Sequence, residues 1–292
     1  MRKYWLILPL LLSLPSKADD WFLDHDQLTD THQYFLQGND SLGFESMIKL
    51  WQQHPNVEIE DNLIKLLDSI LSYNCGVELT STEPSVLLSK LKIDRVVTYN
   101  RSNVTYSYRV SGYSKLDFEN IYLIDNRDHK ISIDKFTHGI NGYFEIRNEG
   151  NKRPLKAGFY QLVIEGEEQT IKQPIILNPQ QTSTPLYWVS MTNWGIDRTE
   201  FNFPKSCGSP TVDIELFDNS SDENDNKLVY SQRFTKQYPQ QLNIDELNQE
   251  LNPGHYWLKV NLFQRHYQGD IIIDDIQQIA KPFELTVLKQ EK

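Results

Sequence analysis

The sequence predicts a multidomain protein, α plus all-β: a small N-terminal helical domain followed by two tandem antiparallel β-sandwiches of one kind. Three observations predict it. Helical periodicity is confined to the first third of the 292 residues. From Asp94 onward the texture changes to short β-branched and aromatic runs separated by polar turns. One element occurs twice: residues 155–164 and 251–260 both read L-x-x-G-x-Y-x-L-x-[IV], a turn glycine leading into an alternating strand. The expected boundaries are a signal peptide at 1–18, the helical domain at 19–93, and sandwiches at 94–179 and 180–292.

The first 18 residues read as an export signal. Arg2 and Lys3 give the positive start, and Trp5 to Leu14 form an apolar run too short to span a bilayer. Ser16-Lys17-Ala18 places small residues at the cleavage positions. No later stretch is long and apolar enough to cross a membrane, so no integral segment is expected after cleavage. The expected location is periplasmic or secreted. The leader takes Arg2, Lys3 and Lys17 with it, leaving 26 basic against 40 acidic groups. That surplus of negative charge argues against nucleic acid or anionic lipid as a partner.

Three amphipathic stripes predict helices in the N-terminal domain. Leu28, Phe35 and Leu36 mark the first, ended by Gly38-Asn39. Leu42, Phe44, Met47, Ile48 and Trp51 mark the second, stopped by His54-Pro55. Ile59, Leu63, Leu66, Leu67, Ile70 and Asn74 mark the third, with Gly76 at its end. Thr82 and Pro84 suggest a fourth, short helix carrying Val86, Leu87, Leu88 and Leu91.

Strands follow at residues 95–99, 104–110, 120–124, 129–133, 143–147, 159–164 and 170–177. Residues 178–185 have the composition of a linker. A second series is expected at 186–189, 199–203, 212–217, 227–234, 255–263, 270–273 and 283–288. The two series match in order. Ile121 to Asn126 and Ile214 to Asn219 share I-x-L-[IF]-D-N, the glycine-tyrosine strand comes next, and each copy closes on a proline-led strand at Pro174 or Pro282. The second copy carries about a dozen extra residues between Asn261 and Lys281. A binding surface is expected first there and on the adjoining face of Trp257.

The repeated element resembles the penultimate strand of immunoglobulin-like and fibronectin-type-III-like sandwiches. In these a tyrosine folds back to hydrogen-bond the backbone just upstream, the position Tyr160 and Tyr256 would take. The core tryptophan and in-domain cysteine pair of antibody domains are absent. The whole layout is also similar to a family of exported Gram-negative bacterial proteins of unknown function. That resemblance implies a setting near envelope-stress signalling and no assigned activity.

Patterns that carry chemistry are missing. There is no G-x-S-x-G elbow, H-E-x-x-H, phosphate loop or dinucleotide fingerprint, and the protein is expected not to be an enzyme. No cofactor is implied. Two cysteines, Cys75 and Cys207, favour one disulfide in an oxidising compartment. They cannot make a zinc site alone. The acidic stretch 218–226 offers hard oxygen ligands but lacks the EF-hand glycine and bidentate glutamate, so no metal site is assigned. Trp188, Trp194 and Trp257 are candidate binding residues, a possible stacking platform for a sugar. The expected function is non-enzymatic binding to another envelope protein or a cell-wall component. The alternatives are a carbohydrate- or peptidoglycan-binding protein with an unrecognised hydrolase site, and a calcium-stabilised spacer.

Overall fold

The computed structural model describes residues 26–80, 87–100, 103–181, 183–201, 203–218 and 227–286. The expected leader and residues 219–226 of the acidic loop lie outside them.

Three helices open the described chain: α1 (Gln27–Leu36), α2 (Asp40–Gln52) and α3 (Val57–Asn74). Asp26 caps α1 by accepting from the Leu28 amide, and Asn56 caps α3 by accepting from Ile59 at 3.0 Å. Their apolar stripes meet through Phe44, Met47, Trp51, Leu63, Leu67 and Leu71. Leu36 falls off the expected stripe and is exposed.

Thirteen strands follow in the described residues: β1 (Leu88–Tyr99), β2 (Val104–Ser114), β3 (Asn120–Asp125), β4 (Lys135–His138), β5 (Tyr143–Asn151), β6 (Gly158–Glu165), β7 (Thr170–Leu177), β8 (Leu186–Trp188), β9 (Trp194–Ile196), β10 (Thr211–Asp218), β11 (Leu228–Phe234), β12 (Gly254–Gln268) and β13 (Ile271–Leu285). A short helix, α4 (Ile244–Glu250), precedes β12. The first lobe sets β1-β2-β5-β4 against β3-β6-β7. That is the strand order of a constant-type immunoglobulin sandwich. Its core packs Ile93, Val110, Phe144, Ile146, Leu162 and Ile175. The Tyr160 hydroxyl donates to the Lys156 carbonyl at 2.9 Å, and Tyr256 to Asn252 at 2.6 Å. Both tyrosines therefore make the fold-back bond.

The second lobe is built differently. Its sheet, β11-β10-β12-β13, is covered by the β8–β9 hairpin and α4, with Leu186, Trp194 and Leu247 filling the core beneath. The two lobes share one eight-stranded sheet, because β13 pairs in parallel with β1 from Lys92↔Ile272 to Tyr99↔Ile279. The extra residues after Asn261 thus lengthen a hairpin of two 15-residue strands that reaches into the first lobe. Ile271 and Ile273 belong to the first lobe's core. The insertion is a structural joint whose side chains are mostly buried.

Three local expectations are corrected. Leu88 and Leu91 stand in β1, not a fourth helix; Leu91, Ile93, Arg95 and Val97 alternate inward, and the strand wins over the short helical pattern (81–86 lie outside the described residues). Residues 129–133 are irregular, with the strand at Lys135–His138 instead. Residues 199–203 hold a 3-10 turn, Arg198–Glu200, whose Asp197 carboxylate accepts from Thr199 at 2.9 Å and favours a turn over a strand. The described parts of the expected strands at 270–273 and 283–288 are joined in one strand, β13, from Ile271 to Leu285 (287 and 288 lie outside the described residues).

The helical unit docks twice. Phe159 and Ile176, on the outward face of β6 and β7, complete its core. The end of α3 meets the hairpin tip, where Tyr267 donates to the Cys75 carbonyl at 2.9 Å and Gly269 to Gly76 at 3.1 Å. The Cys75 and Cys207 sulfurs are at bonding distance, 2.02 Å, and the two residues are 132 positions apart in sequence.

The outward face of the large sheet carries a ladder of ions. Arg109 binds Asp94, Lys92 bridges Asp94 and Asp274 at 2.8 and 3.1 Å, and Arg265 grips Asp274 at 2.8 Å. The carboxylates are buried and the cations half-exposed. The sheet therefore faces solvent without an apolar layer over it. Among the described residues, no helix is long and apolar enough to cross a membrane.

Candidate functional site

Along the inner face of the large sheet, two apolar cores are interrupted by a polar seam. On β12 the inward positions run Leu258, Val260, Leu262 and then Gln264, His266, Gln268. On β13 they run Ile271, Ile273, then Asp275 and Gln277, then Ile279. On β1 the seam residue is Arg95, 1% exposed. Such groups cost free energy to bury unless each finds a partner.

Some do. Arg95 forks onto Asp275 with two bonds of 2.7 Å, and spends its remaining reach on the Asn178 carbonyl at 2.5 Å and side-chain oxygen at 2.8 Å. Gln180 donates back to the Arg95 carbonyl at 3.1 Å. The Ser183 carbonyl accepts from Gln277 and from the Tyr99 hydroxyl, each at 3.1 Å. The described residues of the expected linker, 178–181 and 183–185, are therefore laid as a strap across the seam. Gln268 closes its end by binding both backbone groups of Ile176.

Others do not. Gln264 is 2% exposed, yet neither atom of its amide has a partner among the described residues. His266 is 4% exposed and its Nε2 is likewise unpaired, as are the Oε1 atoms of Gln181 and Gln277. Burial pushes the His266 imidazole down to about 4; Asp275 opposes this and Arg95 adds to it. Gln264, His266, Asp275 and Gln181 all line a cleft of about 750 Å³ between the sheet, the strap, α3 and the loop leading to Cys207. Asp68 and Ser72 of α3 form one wall, Phe203 and Lys205 the other. Burial raises the Asp68 carboxyl, against the pull of Asn178 and Arg95. The disulfide fixes the two walls, since Ser206 also donates to the Leu71 carbonyl at 2.6 Å.

The tryptophans lie elsewhere. Trp194 is 1% exposed, inside the second core. Trp188 meets it edge-on at 6.3 Å and is roofed by the Lys281 ammonium, 3.6 Å from the ring centre. Trp257 is half-buried on the opposite face of the sheet, beside Phe217 and Pro282. Strand alternation divides them, so the three rings share no surface and form no stacking platform. The polar seam carries a signal that periodicity shows once the hairpin is known: the inward positions of β12 and β13 turn from aliphatic to amide, imidazole and carboxylate. No group of three or more histidine, cysteine or acidic side chains placed to hold a metal occurs among the described residues.

Fold and site together define a β-sandwich protein with an N-terminal helical unit and a polar cleft between its lobes. The chain belongs to the family described as "Protein of unknown function (DUF2861)", whose model matches residues 21–284. No curated protein matches. Among solved structures, the chain is similar to the titin domains Z1Z2 in complex with telethonin, at 11% identity and a TM-score of 0.24, covering 65% of this chain and 92% of that one. It is also similar to titin domains A168–A170, at 12% identity and a TM-score of 0.20, covering 65% and 61%. Nothing is carried over at these scores.

Proposed function

We propose that this is an exported, non-enzymatic binding protein of the bacterial envelope, with the cleft between the lobes as its binding seat. The observation that carries the reading is the buried, unpaired Gln264 and His266 facing an open cleft. A sheet face could hold leucine at these positions and be more stable; polar groups left unpaired cost roughly 1–3 kcal/mol each, and a ligand would recover that cost. The leader-like residues 1–18 and a disulfide-stapled wall support an oxidising, extracytoplasmic location. Neither G-x-S-x-G nor H-E-x-x-H occurs in the sequence, which supports binding over catalysis.

A photo-crosslinking residue at Lys205, on the cleft rim, tests this in intact cells, with Lys236 on the far lobe as control. A specific mass-shifted adduct from position 205 alone is expected. No adduct at 205, together with a measured turnover of envelope material by the purified protein, would overturn the proposal. The calcium-spacer reading falls on a loop outside the described residues. An unchanged melting temperature with and without chelator would count against it.

A further inference from the structure

We infer that the ligand of the cleft is a neutral saccharide, with two adjacent hydroxyls bridging the Gln264 carboxamide; this rests on the cleft being the binding seat. A carboxamide presents an acceptor and a donor side by side. Both are unpaired on Gln264 and deeply buried. A pair of neighbouring hydroxyls fits this group, one donating to Oε1 and the next accepting from Nε2. A single trans peptide bond does not, because its N–H and C=O point in opposite directions; the N–H and C=O of one extended residue do, as those of Ile176 do for Gln268, so a peptide is the competing outcome of the test.

Charge narrows the class further. The one guanidinium of the seam, Arg95, has its donors engaged by Asp275 and Asn178. An anionic group would thus meet Asp275, with Lys205 at the rim as the lining cation left to offset it. A cationic group would meet Arg95, with both Asp275 oxygens already taken. His266 is held neutral by burial and offers Nε2 as one further contact. Lys205 stands at the rim. Asp68 adds a carboxyl that burial raises, and the rest of the polar lining is amide and hydroxyl: Asn178, Gln180, Gln181, Ser72 and Ser183. A volume near 750 Å³ lies in the range of small-ligand sites and suits a short oligosaccharide.

The test is titration of the full-length mature protein with maltotriose and triacetylchitotriose, against trialanine and citrate, followed by NMR and calorimetry. With a saccharide, the Gln264 side-chain NH₂ and the His266 ring resonances of the wild-type protein should shift. Gln264→Leu should weaken saccharide binding about tenfold or more, with a melting temperature unchanged or raised, since it removes two unpaired polar atoms. Saccharide binding that Gln264→Leu leaves intact would overturn the inference. So would trialanine or citrate moving the Gln264 resonances while the saccharides do not, an outcome that leaves the cleft as the binding seat. If no probe moves these resonances and position 205 yields no adduct, both readings fall.

Discussion

Burying His266 neutral ties folding to pH. The folded imidazole titrates near 4 and an unfolded histidine near 6.5, so the unfolded chain binds the extra proton between those values. Stability is therefore lost as pH falls from about 6.5 to about 4, by roughly 3 kcal/mol at most. Of the groups facing the ring, Asp275 and Asp274 oppose the effect of burial and Arg95 adds to it. Chemical denaturation at stepped pH should show this slope, and His266→Gln should flatten it. Asp274 acts lower down. Burial pushes it up, but Arg265 and Lys92 outweigh that and hold it below the ordinary carboxylate range, so its contribution is lost only in stronger acid. Arg95 is the other pivotal residue. Arg95→Met would strand the Asp275 carboxylate in the seam and should cost about 3–5 kcal/mol, whereas Arg95→Met with Asp275→Leu should recover most of it. Equal losses in the single and double variants would contradict the pairing.

Among the elements, the long hairpin matters most, and it was only half legible. The gap between the repeated glycine and the closing proline showed that the second copy carries an insertion, but not that β12 and β13 extend together to join the lobes. Two short strands, 270–273 and 283–288, were expected because polar Asp275, Gln277 and Gln278 break the apolar pattern. Asp275 and Gln277 belong to the seam, while Gln278 turns to the other face of the sheet and bonds Asn261. The fourth helix failed for a related reason: Leu87, Leu88 and Leu91 fit a helical stripe as well as the inward positions of a strand, and pairing with β2 and β13 decided between them. Where α3 meets the hairpin, Gly76 has φ +77° and an added Cβ would lie 1.9 Å from the Tyr267 carbonyl oxygen. Gly76→Ala should cost about 2–4 kcal/mol in denaturant melts. Gly38→Ala, at φ +74° with nothing nearby, should cost only about 1 kcal/mol. Similar losses at the two glycines would mean that the helix end does not press on the hairpin.

For the whole molecule, three units close around one cleft, and the Cys75–Cys207 bond crosses from the first to the last. A loop of this length restrains the unfolded chain by roughly 4–5 kcal/mol in the chain-entropy model. Reductant should lower the free energy of unfolding by about that much, and intact mass should report two added hydrogens. The shared sheet also predicts one cooperative transition for the two lobes, because β1 and β13 cannot part without exposing both cores. Calorimetry resolving two independent lobe transitions would contradict that coupling.

By itself the sequence determined what short-range physics controls: three amphipathic helices, the alternating strands, the duplicated glycine-tyrosine element, and a pair of cysteines with one partner each. Side-chain periodicity and turn chemistry act over a few residues, so they survive as pattern. Only the tertiary structure decided which edges pair, that a hairpin of the second copy becomes part of the first lobe's sheet, and that Arg95, Gln264, His266 and Asp275 meet. Strand register brings Arg95 to residues about 170 positions further along the chain, and no local pattern encodes register between distant strands.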